Sequence, residues 1–476
     1  MRFIDRHLER AALTEAWASG RPELLVVHGR RRVGKSELLA RWAAAKPVAY
    51  FVAAQQLERD QLADLGRVLG PMATGFRRGR PPRLDLGDWD EALDAVAGAA
   101  ARGRVGLVLD EFPYLVDANP ALPSLVQRWW DRTGSRSNVV LVLAGSHQSM
   151  MRRLVSSEGA LYGRPTRRIH LRPFDYFHAA RFAPGWPAED RVRLYAVGGG
   201  IPDYLEEFDP ELGFRDELLR LVFMPDGRLF REAPDLLRSE FTEPRTYETI
   251  LRAMASGATT PSEIASRAGL AGANRVNPYI ERLIDLELAE RRVPPTEASE
   301  VRPRTSQYVV SDPYLRFYFG LVDPWRSAIQ AGQGARVLDH LWGEPFDAYV
   351  SRVFEDVARQ HLRRLAGTGA IGPLAQVGFW WFPGGDIDAA GTRGRHLLAA
   401  GSAKWTREMM KPGDLADLRR DASLVAPGDR PELLMYSRSG FDRHLRAEPG
   451  VRLIGLRDLF RPELEFERRP PTTGGS

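Results

Sequence analysis

Between residues 20 and 175, short apolar runs alternate with stretches whose apolar positions recur every three or four residues. The runs Leu24–His28, Val48–Ala53, Val105–Asp110, Val139–Ala144 and Arg167–Leu171 read as buried strands. The intervening segments Lys35–Ala45, Gln56–Leu69, Trp89–Ala101 and Pro120–Thr133 read as amphipathic helices. Strand and helix in strict alternation predict a parallel, doubly wound α/β sheet with helices on both faces. Residues 71–85, rich in Gly, Pro and Arg, read as a flexible surface loop.

The rhythm changes after Pro173-Phe174. Helical patterns run to about residue 240, broken by Gly198-Gly199-Gly200-Ile201-Pro202, a hinge or tight turn. Three short helices follow at Tyr247–Ala255, Pro261–Ala268 and Pro278–Leu288, with Asn277-Pro278 as the N-cap and first residue of the third. An extended segment, Ser306–Val310, completes a winged-helix pattern. A last region holds a helix around Phe346–Leu365 and strand-like runs at Gln376–Phe382, Ile387–Ala390, Leu397–Gly401 and Leu433–Tyr436. The expected domains are 1–175 (α/β core), 176–240 (helical lid), 241–312 (winged helix) and 313–467 (small α/β domain), with 468–476 a disordered tail.

Composition narrows the class. With 43% hydrophobic and 27% charged residues the chain is globular. No apolar run approaches the ~18 residues that span a bilayer, and the first residues lack a signal-peptide core. The absence of cysteine excludes disulfides and thiolate metal sites, so a cytoplasmic location is expected. The net charge of +5 does not by itself argue for nucleic acid. Only four of the 67 basic residues are lysines: Lys35, Lys46, Lys404 and Lys411. Against an arginine-rich background, a lysine marks places where a compact point charge serves better than a guanidinium fork.

Lys35 sits in Gly29-Arg30-Arg31-Arg32-Val33-Gly34-Lys35-Ser36, which fits G-x-x-x-x-G-K-[ST] between a strand and a helix. Glycines let backbone N–H groups curl around phosphate oxygens at a helix N-terminus. Gly29 through Ser36, with Glu37, are therefore the expected triphosphate cradle. Lys35 reaches the β- and γ-phosphates and Ser36 ligates Mg²⁺. Asp110 and Glu111 end an apolar strand, which suits Asp110 to Mg²⁺ and Glu111 to general-base activation of water. Arg164 is a candidate for transition-state charge, and resemblance to ASCE-type P-loop ATPases implies a place near the γ-phosphate for Ser146, at the tip of the next strand.

Taken in order, Phe3-Ile-Asp5-Arg6…Glu9, His28–Ser36, Leu109-Asp-Glu-Phe112, Leu143-Ala-Gly-Ser146, Tyr162-Gly-Arg164, Arg172-Pro-Phe174 and Gly199-Gly-Ile-Pro202 resemble the archaeal-type ATPase family of STAND-class P-loop NTPases. The resemblance covers residues 1–240. It implies an ASCE-type parallel sheet, ATP with Mg²⁺, Phe3 and Arg6 near the adenine, and a switch coupled to oligomeric state or a partner protein.

The last region resembles the domain of unknown function that follows such ATPases and is related to restriction-endonuclease-like folds. Its cues include Phe354-Glu355, Asp386-Ile-Asp388 and Ala400-Gly-Ser-Ala-Lys404. By that resemblance Glu355, Asp388 and Lys404 are the nuclease positions, but the second strand acid is replaced by Ser402. A degraded, non-cutting domain is the expectation, with an ATP-gated, Mg²⁺-dependent DNA nuclease as the alternative. Arg275, Tyr279 and Arg282, with Arg302 and Arg304 on the wing, are candidate DNA contacts, diluted by Glu281, Asp285 and Glu287. A third reading is a DNA-binding regulator with ATP-controlled assembly.

Overall fold

The computed structural model describes residues 3–75, 82–297, 306–382 and 384–461. The chain divides into two compact units, with the division between Pro173 and Phe174.

The first unit is built on five parallel strands: β1 (Glu23–His28), β2 (Val48–Val52), β3 (Val105–Asp110), β4 (Val139–Gly145) and β5 (Arg167–His170). They lie in the order β2-β3-β4-β1-β5. Alternate residues feed two separate cores. Leu24, Val26, Leu107, Leu109, Leu141 and Leu143 face one, and Leu25, Val27, Val108, Val140 and Val142 the other. Burial on both faces explains why these strands read as unbroken apolar runs. All five run the same way, so their C-terminal ends collect at one edge of the sheet, where ligands bind in open α/β sheets.

Of residues 71–85, expected as a loop, 76–81 lie outside the described residues, and the flanks depart from expectation. The helix Glu58–Thr74 continues through Pro71. The returning chain lies against that helix, with the Leu84 N–H bonded to the Gly66 carbonyl at 3.0 Å. A Cβ on Gly70 would stand 1.8 Å from the Pro82 carbonyl oxygen, so glycine there permits the contact.

In the second unit, the helix Ala188–Gly198 leads into the glycine-rich turn, which is packed rather than free: the Phe174 N–H donates to the Gly200 carbonyl at 2.7 Å. Helices Pro244–Ala255, Pro261–Arg267 and Ala273–Asp285 precede an antiparallel ribbon of β6 (Ala289–Arg292) and β7 (Gln307–Val310). The third helix starts at Ala273, five residues before the expected first residue, so that Pro278 lies inside it. Arg302 and Arg304, like the tail, lie outside the described residues.

The long helix Glu344–Thr368 is followed by β8 (Gln376–Phe382), β9 (Gly385–Arg393) and β10 (His396–Lys404). The helix Pro412–Val425 then leads to β11 (Glu432–Ser437) and β12 (Val451–Gly455). The sheet order is β12-β11-β10-β9-β8. The β8–β9 and β9–β10 pairs are antiparallel, whereas β10–β11 and β11–β12 are parallel. A mixed α/β sheet is the fold class expected for this region from the sequence. No helix of the described residues is long and apolar enough to cross a membrane.

Candidate active site

Strand register brings the phosphate loop and the acidic strand tip together. His28 of β1 is paired with Gly145 of β4, and Leu109 of β3 with Leu143 of β4. Gly29, Asp110-Glu111 and Ser146 therefore leave the sheet side by side.

The loop is tightly shaped. A Cβ on Gly29 would lie 2.3 Å from the Leu171 carbonyl oxygen, and Gly34 caps the following helix in the left-handed region (φ 92°). Lys35 is 5% exposed, and its Nζ donates to the carbonyls of Gly29 and Arg30, both at 2.9 Å. The loop thus wraps its own ammonium. Arg6 braces it from outside: its guanidinium donates to the Val33 carbonyl (2.9 Å) and the Arg172 carbonyl (2.8 Å), with Glu9 at 3.3 Å. Burial holds the Arg6 pKa below its ordinary value, against the Glu9 charge.

Other expected loop residues are placed differently. Arg30 is buried, while Arg31 and Arg32 are exposed. Arg31 reaches the Tyr114 hydroxyl at 3.4 Å. Glu37 pairs with Arg41 (2.5 Å) one turn along its own helix. Phe3 lies under the guanidiniums of Arg41 and Arg10, at 4.9 and 5.7 Å. It lines an open cavity of about 570 Å³ with Thr14, Leu38 and Trp42.

Asp110 is fully buried. Its Oδ1 accepts the Glu111 N–H (2.9 Å) and its Oδ2 accepts the Tyr50 hydroxyl (2.6 Å). Tyr50 also approaches the Ser36 carbonyl at 3.2 Å, bridging the loop helix to the strand tip. Burial, then the Asp110 charge, pushes the Tyr50 phenol well up, so it stays a donor. The sequence analysis missed Tyr50, since a tyrosine in an apolar strand carries no motif. Glu111 adopts a left-handed backbone (φ 53°), and its Oε2 accepts from the Ser146 hydroxyl (2.9 Å) and N–H (3.3 Å). Arg164 is not brought to this group. Its guanidinium makes a bidentate pair with Asp131 (2.9 and 2.7 Å) and reaches the Tyr162 carbonyl at 3.0 Å.

In the second unit, Glu355 and Asp388 come together from the long helix and β9. Burial and the Asp388 charge push the Glu355 carboxyl up to about 8. The β9–β10 ladder ends at Ala389–Gly401, and beyond it Asp388 Oδ2 accepts the Ala403 N–H at 2.8 Å. Burial raises Asp388 to about 6 despite that hydrogen bond. Ser402 is half-buried at the position where the second acid is expected. Lys404 is ion-paired with Asp414 on the helix Pro412–Val425, an acid the sequence analysis did not name. Among the described residues, no group of three or more His, Asp or Glu is arranged to hold a metal.

Residues 3–208 match the family described as an ATPase domain predominantly from Archaea. Residues 318–414 match one described as Archaea bacterial proteins of unknown function. The uncharacterised protein MJECL04 of Methanocaldococcus jannaschii is 31% identical over 388 residues, covering 81% of this chain and 83% of that protein. The chain belongs to this archaeal-type ATPase family. The Walker-type ATPase paby2304 of Pyrococcus abyssi shares the fold at 21% identity and a TM-score of 0.51, over 67% of this chain and 96% of that one. The Aeropyrum pernix ORC2 protein in its ADPNP–ADP complexes superposes with a TM-score of 0.40 at 17% identity, over 70% of this chain and 96% of that one. The family is the one the ordered motifs implied. As a member of it the protein is a nucleotide-binding ATPase.

Proposed function

We propose that the protein is an ATP-driven switch that couples nucleotide state to DNA contact by its second unit. The observation that carries this is the fastening of the helix Ala188–Gly198 to the long helix. Arg438 bridges Glu189 (2.7 Å) and Asp347 (3.0 Å). The Tyr349 hydroxyl donates to the Ala196 carbonyl at 2.6 Å, and Gln360 donates to the Tyr195 hydroxyl at 2.8 Å. A helical lid tied in this way carries the ribbon module and the mixed sheet with it when it responds to nucleotide.

In this reading Lys35 and the loop amides hold the β- and γ-phosphates, and Phe3 and Arg6 border the base side. Ser36 and Asp110 would hold Mg²⁺, which would supply charge neutralisation at the phosphates. The fit rests on the loop already shaped around an ammonium and on a buried carboxylate fixed by two donors. Glu111 orients and deprotonates the attacking water, with Ser146 fixing its carboxylate. The three helices and ribbon serve as a winged helix. Exposed Arg275 and half-buried Arg282 are offered to backbone phosphates, while Tyr279 is engaged by Glu243 at 3.0 Å. The mixed sheet acts as a binding module rather than a nuclease, since Lys404 is neutralised by Asp414 and Ser402 leaves the acid pair without a third carboxylate.

The test is ATP turnover measured with and without duplex and single-stranded DNA, with Lys35→Ala as the control. Stimulation or suppression by DNA, lost with Lys35→Ala, is expected. Turnover indifferent to DNA together with no DNA binding in any nucleotide state overturns the DNA part of the reading. Unchanged ATP affinity in Lys35→Ala overturns the whole.

A further inference from the structure

In the second unit a cleft of about 280 Å³ lies between β6, the long helix and β8. Four guanidiniums line it (Arg291, Arg292, Arg359 and Arg363) against two carboxylates, Glu290 and Asp356. The imbalance is larger than that count. Asp356 also receives Arg316 (2.9 Å), in addition to Arg292 (2.8 Å) and Arg359. Arg363 is left with a neutral carbonyl, that of Val377 at 2.7 Å. Burial, then the neighbouring Arg359, holds the Arg363 pKa below its ordinary value, against the Glu290 and Asp356 charges. Arg291 is exposed and makes no ion pair among the described residues.

A polar cleft with excess positive charge concentrates anions, and planar guanidinium forks match phosphate oxygens. Its volume falls just below the ~300–1,000 Å³ of sites that enclose a whole small molecule, so it suits a phosphate group better than a nucleotide. The rim adds an aromatic element. Phe379 and Trp381 stack on one another (5.4 Å between centroids, 15° between planes) on β8, the edge strand of its sheet. The Arg359 guanidinium lies 5.9 Å from the Phe379 ring. The β8–β9 register slips between Gly378 and Trp380, so Phe379 sits where the ladder is irregular. A cationic groove beside a stacking platform is how proteins hold single strands, whose unstacked bases offer a free face.

We infer that this cleft seats a backbone phosphate of a single-stranded nucleic acid, with an unpaired base against the Phe379–Trp381 pair. The inference deepens the DNA-directed reading above and rests on it. The experiment is fluorescence anisotropy of a labelled oligo-dT on the full chain, with ADP and with a non-hydrolysable ATP analogue. Arg363→Glu and Arg291→Glu are each expected to weaken binding about tenfold and to flatten the salt dependence by about one unit of slope. Trp381→Ala is expected to cost about tenfold as well. ATP turnover without DNA stays unchanged in all three. Arg291→Glu, at an exposed site, keeps the test valid if Arg363→Glu folds poorly.

Full strand affinity in Arg291→Glu and Trp381→Ala, with loss only in Arg275→Glu or Arg282→Glu, overturns the cleft and leaves the DNA-directed switch standing. Heat from inorganic phosphate that Arg363→Glu abolishes without loss of strand affinity assigns the cleft to a free anion and overturns the strand. No DNA binding by the unaltered protein in any nucleotide state overturns both.

Discussion

The Ser146 hydroxyl donates to the Glu111 carboxylate at 2.9 Å, joining the tips of β4 and β3. The serine removes one rotational freedom from the proposed base and leaves its second oxygen for water. Ser146→Ala is expected to lower kcat about tenfold, the worth of one charge-assisted hydrogen bond, with the KM for ATP nearly unchanged. Glu111→Gln is expected to lower kcat by a factor of about 10²–10⁴. Steady-state turnover of the three proteins checks both.

Tyr50 is the less visible part of the same site. Tyr50→Phe removes a donor from a fully buried carboxylate, which costs about 1–3 kcal/mol of stability. The expected results are a lower melting temperature and a higher Mg²⁺ concentration for half-maximal turnover. A melting point equal to that of the unaltered protein, with no change in Mg²⁺ demand, refutes the role.

Glu355 predicts a pH dependence with a definite sign. Its carboxyl is raised from 4.5 to about 8 in the folded protein. The folded state therefore binds a proton more tightly than the unfolded one, and stability falls as pH rises through that window. Its contribution is fully present below about 4.5 and lost above about 8. Glu355→Gln is expected to flatten the decline, as followed by thermal melts across pH 5–8 without divalent ions.

Asp356 works in the opposite sense. Burial alone would raise it, but Arg292, Arg359 and Arg316 hold it far below the usual carboxylate range. Asp356→Asn leaves three guanidiniums without their shared partner and is expected to cost about 3–5 kcal/mol. Chemical denaturation followed by tryptophan fluorescence reads the loss.

The first sheet was legible because doubly buried strands announce themselves as apolar runs, and each run named from sequence is a strand. The phosphate loop, Asp110, Glu111 and Ser146 were legible because their spacing on a parallel sheet fixes where they emerge. Other elements lacked such a signal. The helix Phe112–Ala118 was hidden behind Pro113, which fits the first turn of a helix. β6, with the sequence Ala-Glu-Arg-Arg, has no apolar alternation to betray it. Tyr50 and the Asp356 cluster depend on pairs far apart in sequence, and Asp414 meets Lys404 from the next element along the chain. Arg164 shows the converse: a residue chosen by motif is committed to a neighbour, Asp131, that no local pattern points to.

The Asp356 knot also bears on how this protein can be cut apart. Its three arginines come from the ribbon, from the short helix Pro313–Phe317 and from the long helix. A shortened polypeptide ending before the long helix would leave Arg292 and Arg316 without Asp356, and one starting there would leave the acid with Arg359 alone. Expressing residues 241–312 or 313–467 alone is therefore expected to cost the stability that this shared acid supplies.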